Sequence, residues 1–153
     1  MKWRADNLIA LEKVAHEVIT SAVKNSDKGK FATVVALHGN LGAGKTTLTK
    51  SIAKALGIND TITSPTFVIQ KRFEIPAMAH GKFGSLKNLI HIDAYRIDLQ
   101  DQLVKLGWDT ISRDNDNIIV VEWPENVADI LPPTTTHVYL NFINETTREI
   151  EIR

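Results

Sequence analysis

Hydrophobic positions follow two different periods in the first third of the chain. From Asn7 to Val23 they recur every three or four residues, the spacing of a helix with one buried face: Leu8, Leu11, Val14, Ala15, Val18, Ile19 and Ala22. Phe31–Leu37 is almost continuously apolar and predicts a strand buried on both faces. The helical spacing returns from Lys45 to Leu56, and Gly57 is expected to end that helix. The predicted order is helix, strand, loop, helix.

The rest of the chain contains more strands than helices. Thr66–Glu74 and Asn88–Asp93 predict a hairpin, whose long tip, Ile75–Lys87, carries a proline and two glycines. A short helix around Leu103 is expected to end at Gly107. Three further strands are predicted, the last two antiparallel: Asn117–Glu122, Thr136–Ile143 and Thr147–Ile152. This order of elements predicts a three-layer α/β domain, with a mixed sheet that has a parallel centre and antiparallel edge strands.

Composition narrows the class of protein. With 153 residues, of which 43% are hydrophobic, we expect one domain over residues 1–153. The 18 basic and 18 acidic side chains balance, so no net positive charge attracts nucleic acid or an anionic membrane from a distance. The absence of cysteine excludes disulfides and thiol nucleophiles. Without a secretion signal or an apolar run of about 20 residues, a soluble cytoplasmic protein is expected.

The loop Gly39–Thr46 carries the strongest chemical signal. It fits the phosphate-loop (P-loop) pattern G-x-x-x-x-G-K-[ST] and lies between a predicted strand and a predicted helix. Glycines let backbone N–H groups turn toward an anion, and the helix start adds unpaired donors. A P-loop NTPase-like domain that binds ATP and Mg²⁺ is therefore predicted. The residues expected to contact the nucleotide are Asn40, Leu41, Gly42, Ala43, Gly44, Lys45, Thr46 and Thr47.

Particular roles follow from the chemistry of these side chains. Lys45 is expected to bridge the β- and γ-phosphates, and Thr46 to offer its hydroxyl to Mg²⁺. Thr47 is a helix residue whose hydroxyl is placed to touch an α-phosphate. The alternative, a glycine-rich turn with an accidental lysine, conflicts with the flanking strand and helix. The chain lacks the Asn/Thr-Lys-x-Asp guanine-reading motif, which favours adenine over guanine only weakly.

Two carboxylates stand at the ends of predicted strands, where a P-loop protein places a second group for the metal. Glu122 follows the apolar run 118–121, and Asp93 follows 89–92. Taken alone, each is equally well explained as a solvated acid at a strand end, and either is a candidate for the metal. Trp123 comes next, and Pro124 predicts a turn there. That tryptophan is expected to cover the nucleotide, to meet a partner, or to pack in the core.

Two further segments have both a functional and a structural interpretation. Ser64–Phe67 follows the P-loop helix, where related folds place a loop that senses the γ-phosphate. Turn capping explains its hydroxyls almost as well. His91 and Tyr95 flank Asp93, and Arg96 is a candidate either for a phosphate or for a structural ion pair.

Taken together, four segments resemble the TsaE (also YjeE) family of bacterial proteins: 39–46, 64–67, 91–96 and 121–125. The resemblance implies an ATPase that acts with TsaB and TsaD in the threonylcarbamoyl modification of adenosine 37 in tRNA. It implies tRNA contact only indirectly, through that complex, and no membrane. This chain departs from the family pattern at Asn40, usually Asp, and at Ala94, usually Leu or Val, and its 76–87 tip is longer.

The resemblance also implies site residues. Thr46 and Glu122 match the magnesium ligands, Asp93 matches an aspartate needed for ATP hydrolysis, and Trp123 matches a tryptophan near the nucleotide. With Lys45 from the loop, the expected catalytic residues are Lys45, Asp93 and Glu122. The start of the first helix, around 6–11, is similar to the part of the family that approaches the adenine.

Two alternatives predict different experiments. A small P-loop kinase of a metabolite or nucleotide would close an arginine-rich lid over the phosphate, but the arginines after Arg96 are isolated at 113, 148 and 153. A nucleotide-dependent binding switch would use ATP to order the 64–67 loop and create a partner surface. No arginine accompanies the loop as an obvious finger in cis, so we expect slow hydrolysis that partners accelerate.

Overall fold

The computed structural model describes residues 1–27, 29–63, 70–96 and 100–153. Four helices and seven strands are assigned in these residues. The helices are α1 (Leu8–Asn25), α2 (Lys45–Ala55), α3 (Gln100–Lys105) and α4 (Trp108–Ile111). The strands are β1 (Lys2–Ala5), β2 (Thr33–His38), β3 (Gln70–Glu74), β4 (Asn88–Asp93), β5 (Asn117–Glu122), β6 (Thr136–Phe142) and β7 (Arg148–Ile152). Two 3₁₀ segments, Ala77–Ala79 and Pro124–Ile130, complete the set.

The seven strands form one mixed sheet in the order β1-β7-β6-β2-β5-β4-β3. Strands β6, β2, β5 and β4 are parallel to one another. Strand β3 pairs antiparallel with β4 at one edge, and β7 and β1 add antiparallel strands at the other. The predicted parallel centre with antiparallel edges is therefore confirmed. Strand β1 was not predicted, because four residues are too few for an alternating pattern to be recognised.

Helices cover both faces of the sheet, as the three-layer prediction requires. On one face α1 and α2 pack over the strands through side chains that include Ile19, Leu48 and Ile52. On the other face α3, α4 and the segment after β5 contribute Leu103, Trp108 and Val127. Successive strand residues point to opposite faces. Accordingly, Val120 packs with the α1 and α2 layer, and Val121 packs with the α3 and α4 layer.

Local signals explain most element ends. Asn7 begins α1 by accepting a hydrogen bond from the Ala10 N–H at 2.8 Å. Gly107 separates α3 from α4, and its φ of 90° suits glycine. Helix α4, which follows Gly107, was not predicted. The 64–67 segment and the start of the predicted helix before Gln100 lie outside the described residues. In the part of the chain that the structure describes, no helix has the length and apolarity needed to cross a bilayer.

Candidate nucleotide-binding site

The P-loop connects β2 to α2 with a backbone that depends on glycine. Gly39, Gly42 and Gly44 all have positive φ, and Gly39 has the least space. A Cβ on Gly39 would lie 2.8 Å from the Leu140 carbonyl oxygen and 2.9 Å from the Ala43 Cβ. Gly44 begins α2 without any side-chain cap, so no capping side chain competes for the first N–H groups of the helix. These donors are suited to an anion.

Lys45 is turned back into its own loop. Its side chain is buried, and Nζ donates to the Gly39 carbonyl at 2.5 Å and to the Asn40 carbonyl at 3.1 Å. Nζ also lies 3.9 Å from the centroid of the Trp123 ring. Burial lowers the pKa of the Lys45 ammonium below its ordinary value, while nearby carboxylates, Glu122 foremost, oppose that shift. The ammonium is thus held within the loop by two of the loop's own backbone carbonyls.

Glu122 is a buried carboxylate surrounded by donors. The Thr46 hydroxyl lies 3.1 Å from both of its carboxylate oxygens, and the Thr49 hydroxyl lies 3.4 Å from Oε1. His91 Nε2 donates to Oε1 at 2.8 Å, and His91 is fully buried. Burying a charge is costly unless it is hydrogen-bonded. Glu122 meets that condition, and it is fixed beside the predicted magnesium ligand Thr46.

Asp93 lies beside Glu122 at the same edge of the sheet. The two residues are paired in the β4–β5 register, and neighbouring strands are about 4.8 Å apart. Asp93 is 8% exposed and accepts a hydrogen bond from the Tyr95 N–H at 3.0 Å. The structure therefore brings both candidate carboxylates to the P-loop, with Glu122 in direct contact with Thr46.

Trp123 leaves the strand through a left-handed turn. Its φ of 58° and ψ of 49° are unusual for a residue other than glycine, and Pro124 opens the 3₁₀ segment that follows. The half-buried indole packs partly on the α3 and α4 layer, and its ring centroid lies 5.0 Å from that of Tyr95. The predicted turn is present. It brings the indole over Lys45, so the side chain serves both the core and the loop.

Two cavities of about 350 Å³ each adjoin the loop. The first is the phosphate-side cavity, whose wall includes seven predicted site residues: Leu41, Gly42, Lys45, Thr46, Asp93, Glu122 and Trp123. The second, here called the α1-side cavity, lies between the start of α1 and the β6–β7 turn, with Asn7, Leu8, Leu11, Glu145 and Thr146 in its wall. Gly44, Thr47 and Arg148 line both. An elongated ligand with one charged and one less polar end suits this pair of cavities.

The two other residues predicted to contact the nucleotide, Asn40 and Ala43, make contacts through their backbone carbonyls. Asn40 contributes its backbone carbonyl to Lys45, and the Ala43 side chain is buried while its carbonyl accepts from Arg148. Three residues of the site were missed as participants. His91 and Thr49 carried a signal, since His91 shares a strand face with Asp93, and Thr49 lies three residues after Thr46 on α2. Arg148 carried none, because only the tertiary fold brings it to the loop.

Comparison with known proteins identifies relatives along the whole chain. Residues 7–150 match the family described as threonylcarbamoyl adenosine biosynthesis protein TsaE. The tRNA threonylcarbamoyladenosine biosynthesis protein TsaE of Streptomyces coelicolor is 41% identical over 99 residues, which are 64% of this chain and 61% of the relative. The protein of the same name from Bacillus subtilis is 31% identical over 150 residues, or 98% of this chain and 83% of the relative.

A solved structure supports the same grouping. The crystal structure of YdiB from Bacillus subtilis superposes with a TM-score of 0.66 at 27% identity, covering 98% of this chain and 82% of that one. The chain therefore belongs to the TsaE family of tRNA threonylcarbamoyladenosine biosynthesis proteins.

Proposed function

We propose that this protein binds ATP with Mg²⁺ and hydrolyses it as the ATPase component of threonylcarbamoylation of adenosine 37 in tRNA, with TsaB and TsaD as partners. Family membership supports the role in tRNA modification. The observation that carries the ATPase proposal is the convergence on one P-loop of Lys45, Thr46, Glu122 and Asp93, all lining the phosphate-side cavity. Within this cavity the Lys45 ammonium and the helix N–H donors suit phosphate groups, and the carboxylates of Glu122 and Asp93 suit a cation that accompanies them.

The two cavities suggest how ATP lies. Its triphosphate fills the phosphate-side cavity, and its base enters the α1-side cavity, whose wall includes the apolar side chains of Leu8 and Leu11. Thr47 and Gly44 line both cavities and thus stand at the α-phosphate. Lys45 exchanges its loop carbonyl partners for the β- and γ-phosphate oxygens on binding.

The residues present fit magnesium. A hydroxyl and a carboxylate are hard oxygen donors, and the Thr46 hydroxyl and the Glu122 carboxylate lie 3.1 Å apart. When bound, the ion neutralises charge on the transferring phosphoryl group. Asp93, at the end of the neighbouring strand β4, accepts a hydrogen bond from the attacking water and orients it. The water oxygen bonds to the γ-phosphorus while the bond from that phosphorus to the β–γ bridging oxygen breaks, and the proton lost by the water passes to the phosphate product, which leaves ADP and inorganic phosphate.

Partner proteins are needed for fast hydrolysis because the site holds little positive charge to stabilise the transition state. Among the described residues that line the phosphate-side cavity the cations are Lys45 and Arg148, and Arg148 is bonded to backbone carbonyls. Arginine fingers supplied in trans accelerate related P-loop enzymes by about 10³- to 10⁵-fold. We therefore expect slow hydrolysis by the isolated protein and faster hydrolysis in the assembly with TsaB and TsaD.

The test measures phosphate release by the purified protein alone and with TsaB and TsaD, beside tRNA modification in the reconstituted system. Lys45→Ala and Glu122→Gln are expected to lower the stimulated rate by about 100-fold or more, the size of effect seen when one transition-state contact is lost. Glu122→Gln should also raise the Mg²⁺ concentration needed for half-maximal rate, whereas Asp93→Asn should lower kcat at an unchanged Mg²⁺ requirement.

Three results would contradict the proposal. The first is a rate of ATP hydrolysis by the wild-type protein that TsaB and TsaD do not increase. The same TsaB and TsaD must support tRNA modification with a competent TsaE protein as the control. The second is a raised Mg²⁺ requirement in Asp93→Asn together with an unchanged requirement in Glu122→Gln. That result would show that Asp93, and not Glu122, is the carboxylate that binds the metal. The third is phosphorylation of a small metabolite faster than hydrolysis of ATP, which would favour a kinase.

A further inference from the structure

Arg148, the first residue of β7, lies against the P-loop although 105 residues separate it from Ala43. Its Nε donates to the Ala43 carbonyl at 2.9 Å. Its side chain also passes close to Gly44, since a Cβ on that glycine would lie 3.4 Å from Nε. Arg148 is in addition one of the residues that line both cavities. It is therefore placed to act on the loop and on a ligand that spans the two cavities.

The hydrogen bond to Ala43 fixes one peptide plane of the loop. In a trans peptide the C=O of one residue and the N–H of the next point in opposite directions. The peptide in question joins Ala43 to Gly44, and no cis bond is present in the described residues. Arg148 holds the Ala43 carbonyl on the β7 side, and so the Gly44 N–H is directed away from β7. That N–H belongs to the residue that begins α2, where anions bind.

The guanidinium is itself held rigidly by the β6–β7 turn. Nη1 donates to the Asn144 carbonyl at 2.6 Å and to the Thr147 carbonyl at 3.0 Å. The Asn144 side chain closes this turn by accepting from the N–H groups of Thr146 and Thr147. The guanidinium carbon also lies 4.7 Å from the centroid of the Phe142 ring. A fork with several fixed donors is suited to hold a backbone carbonyl at a set angle.

We propose that Arg148 is a positioning residue for the nucleotide, which directs the Gly44 N–H toward the phosphates and places a fixed positive charge where the two cavities meet. This inference rests on the proposed ATP binding. It adds a residue of the C-terminal hairpin to the phosphate site and makes the β6–β7 turn the support of the P-loop.

Calorimetric titration of the folded protein with ATP and, separately, with tripolyphosphate tests the inference. Tripolyphosphate has no base or ribose, so it reports on the phosphate site alone. Arg148→Gln removes the charge, and Arg148→Lys keeps the charge but loses the planar fork. Both variants should bind ATP and tripolyphosphate about tenfold to a hundredfold more weakly, by similar factors for the two ligands. Arg153→Gln, which removes an exposed arginine of the same hairpin, is the matched control and should bind as wild type.

A second measurement separates positioning from loss of folding. In spectra of ¹⁵N-labelled protein, the Gly44 amide should shift strongly on adding tripolyphosphate to wild type and to Arg153→Gln, and much less in Arg148→Lys. Wild-type affinity in both Arg148 variants would overturn the inference, as would weakened ATP binding with tripolyphosphate binding intact. A wild-type protein that binds neither ligand would instead overturn the proposed function, and the inference with it.

Discussion

At the scale of single residues, the candidate site depends on one buried carboxylate whose orientation is set by its neighbours. Glu122 accepts hydrogen bonds from two hydroxyls and from the imidazole of His91, which is 0% exposed. The His91 bond is the shortest of these at 2.8 Å, and it comes from the neighbouring strand rather than from α2. His91 therefore restrains the carboxylate from strand β4, in addition to the two hydroxyls of α2. In metal sites such supporting residues change affinity or activity by about 10- to 100-fold.

This arrangement predicts a difference between two substitutions of His91. In Gln the terminal N–H₂ reaches roughly the position of histidine Nε2, whereas in Asn it reaches only that of Nδ1. His91→Gln should keep the bond to Glu122 and stay within a few-fold of wild type. His91→Asn should raise the Mg²⁺ concentration for half-maximal ATP hydrolysis by about tenfold. The measurement is hydrolysis rate against Mg²⁺ concentration at saturating ATP.

His16→Asn provides the control for the His91 variants, since that histidine contacts Phe83 near the tip and is not among the residues that line either cavity at the loop. It should leave the magnesium dependence unchanged. Equal behaviour of His91→Gln and His91→Asn would remove the argument that His91 acts through Glu122.

At the scale of elements, the strength of the local pattern decides what could be predicted from the sequence. Helix α1 and the strands β2, β4 and β5 have long periodic or continuous apolar segments, and they lie close to their predicted positions. The loop motif and the two strand-end acids were equally visible, because their spacing is set by local chain geometry. Strand β1 and the position of Arg148 were not, since both depend on how β7 pairs within the finished sheet.

The loop between β2 and α2 predicts a stability difference between two glycines. A Cβ at Gly39 would overlap the Leu140 backbone and Ala43, whereas Gly107 has a positive φ of 90° and open space around it. Gly107→Ala should therefore cost about 1 kcal/mol of unfolding free energy, for backbone strain alone. Gly39→Ala should cost about 1–3 kcal/mol more, because the overlap with backbone cannot be relieved by a side-chain rotation.

Urea unfolding followed by circular dichroism measures both changes. The m-value should stay constant, so that the shift in midpoint reports stability and not a change in the unfolded state. If Gly39→Ala were no less stable than Gly107→Ala, the close contact between the loop and β6 would not be as tight as the structure has it.

At the scale of the whole molecule, the start of the P-loop is tied to two other segments through a pair of histidines. His38, the residue before Gly39, lies 2.9 Å from His137 of β6 between ring nitrogens and stacks on the Tyr139 ring at 4.4 Å. Its other ring nitrogen is 3.7 Å from the Glu125 carboxylate, in the segment that follows Trp123. This cluster joins the start of the P-loop and the segment after Trp123 to strand β6.

The histidine pair favours its neutral form. Burial lowers the pKa of His38, the neighbouring His137 lowers it further, and Glu125 opposes them; burial also lowers the pKa of His137. In the unfolded chain both imidazoles titrate near pH 6.5. Below that pH the unfolded state binds more protons than the folded state, and so the unfolding free energy falls. The contribution is fully present above about pH 6.5 and is lost as pH falls through the folded pKa values.

The thermal midpoint of unfolding should therefore decline between pH 7 and pH 5, and His137→Gln should make that decline shallower. Removing one imidazole eliminates the charge repulsion that the pair would suffer when both rings are protonated, and it leaves the other ring next to Glu125. His80→Gln is the control, because that histidine bonds to the Ile75 carbonyl in the tip and has no histidine partner among the described residues. Its decline should match wild type. Two results would contradict this prediction: a wild-type midpoint that stays constant to pH 5, and an equal decline in His137→Gln. Either result would mean that the pair is protonated as readily in the folded protein as in the unfolded chain. The link between the P-loop and β6 would then not depend on neutral imidazoles.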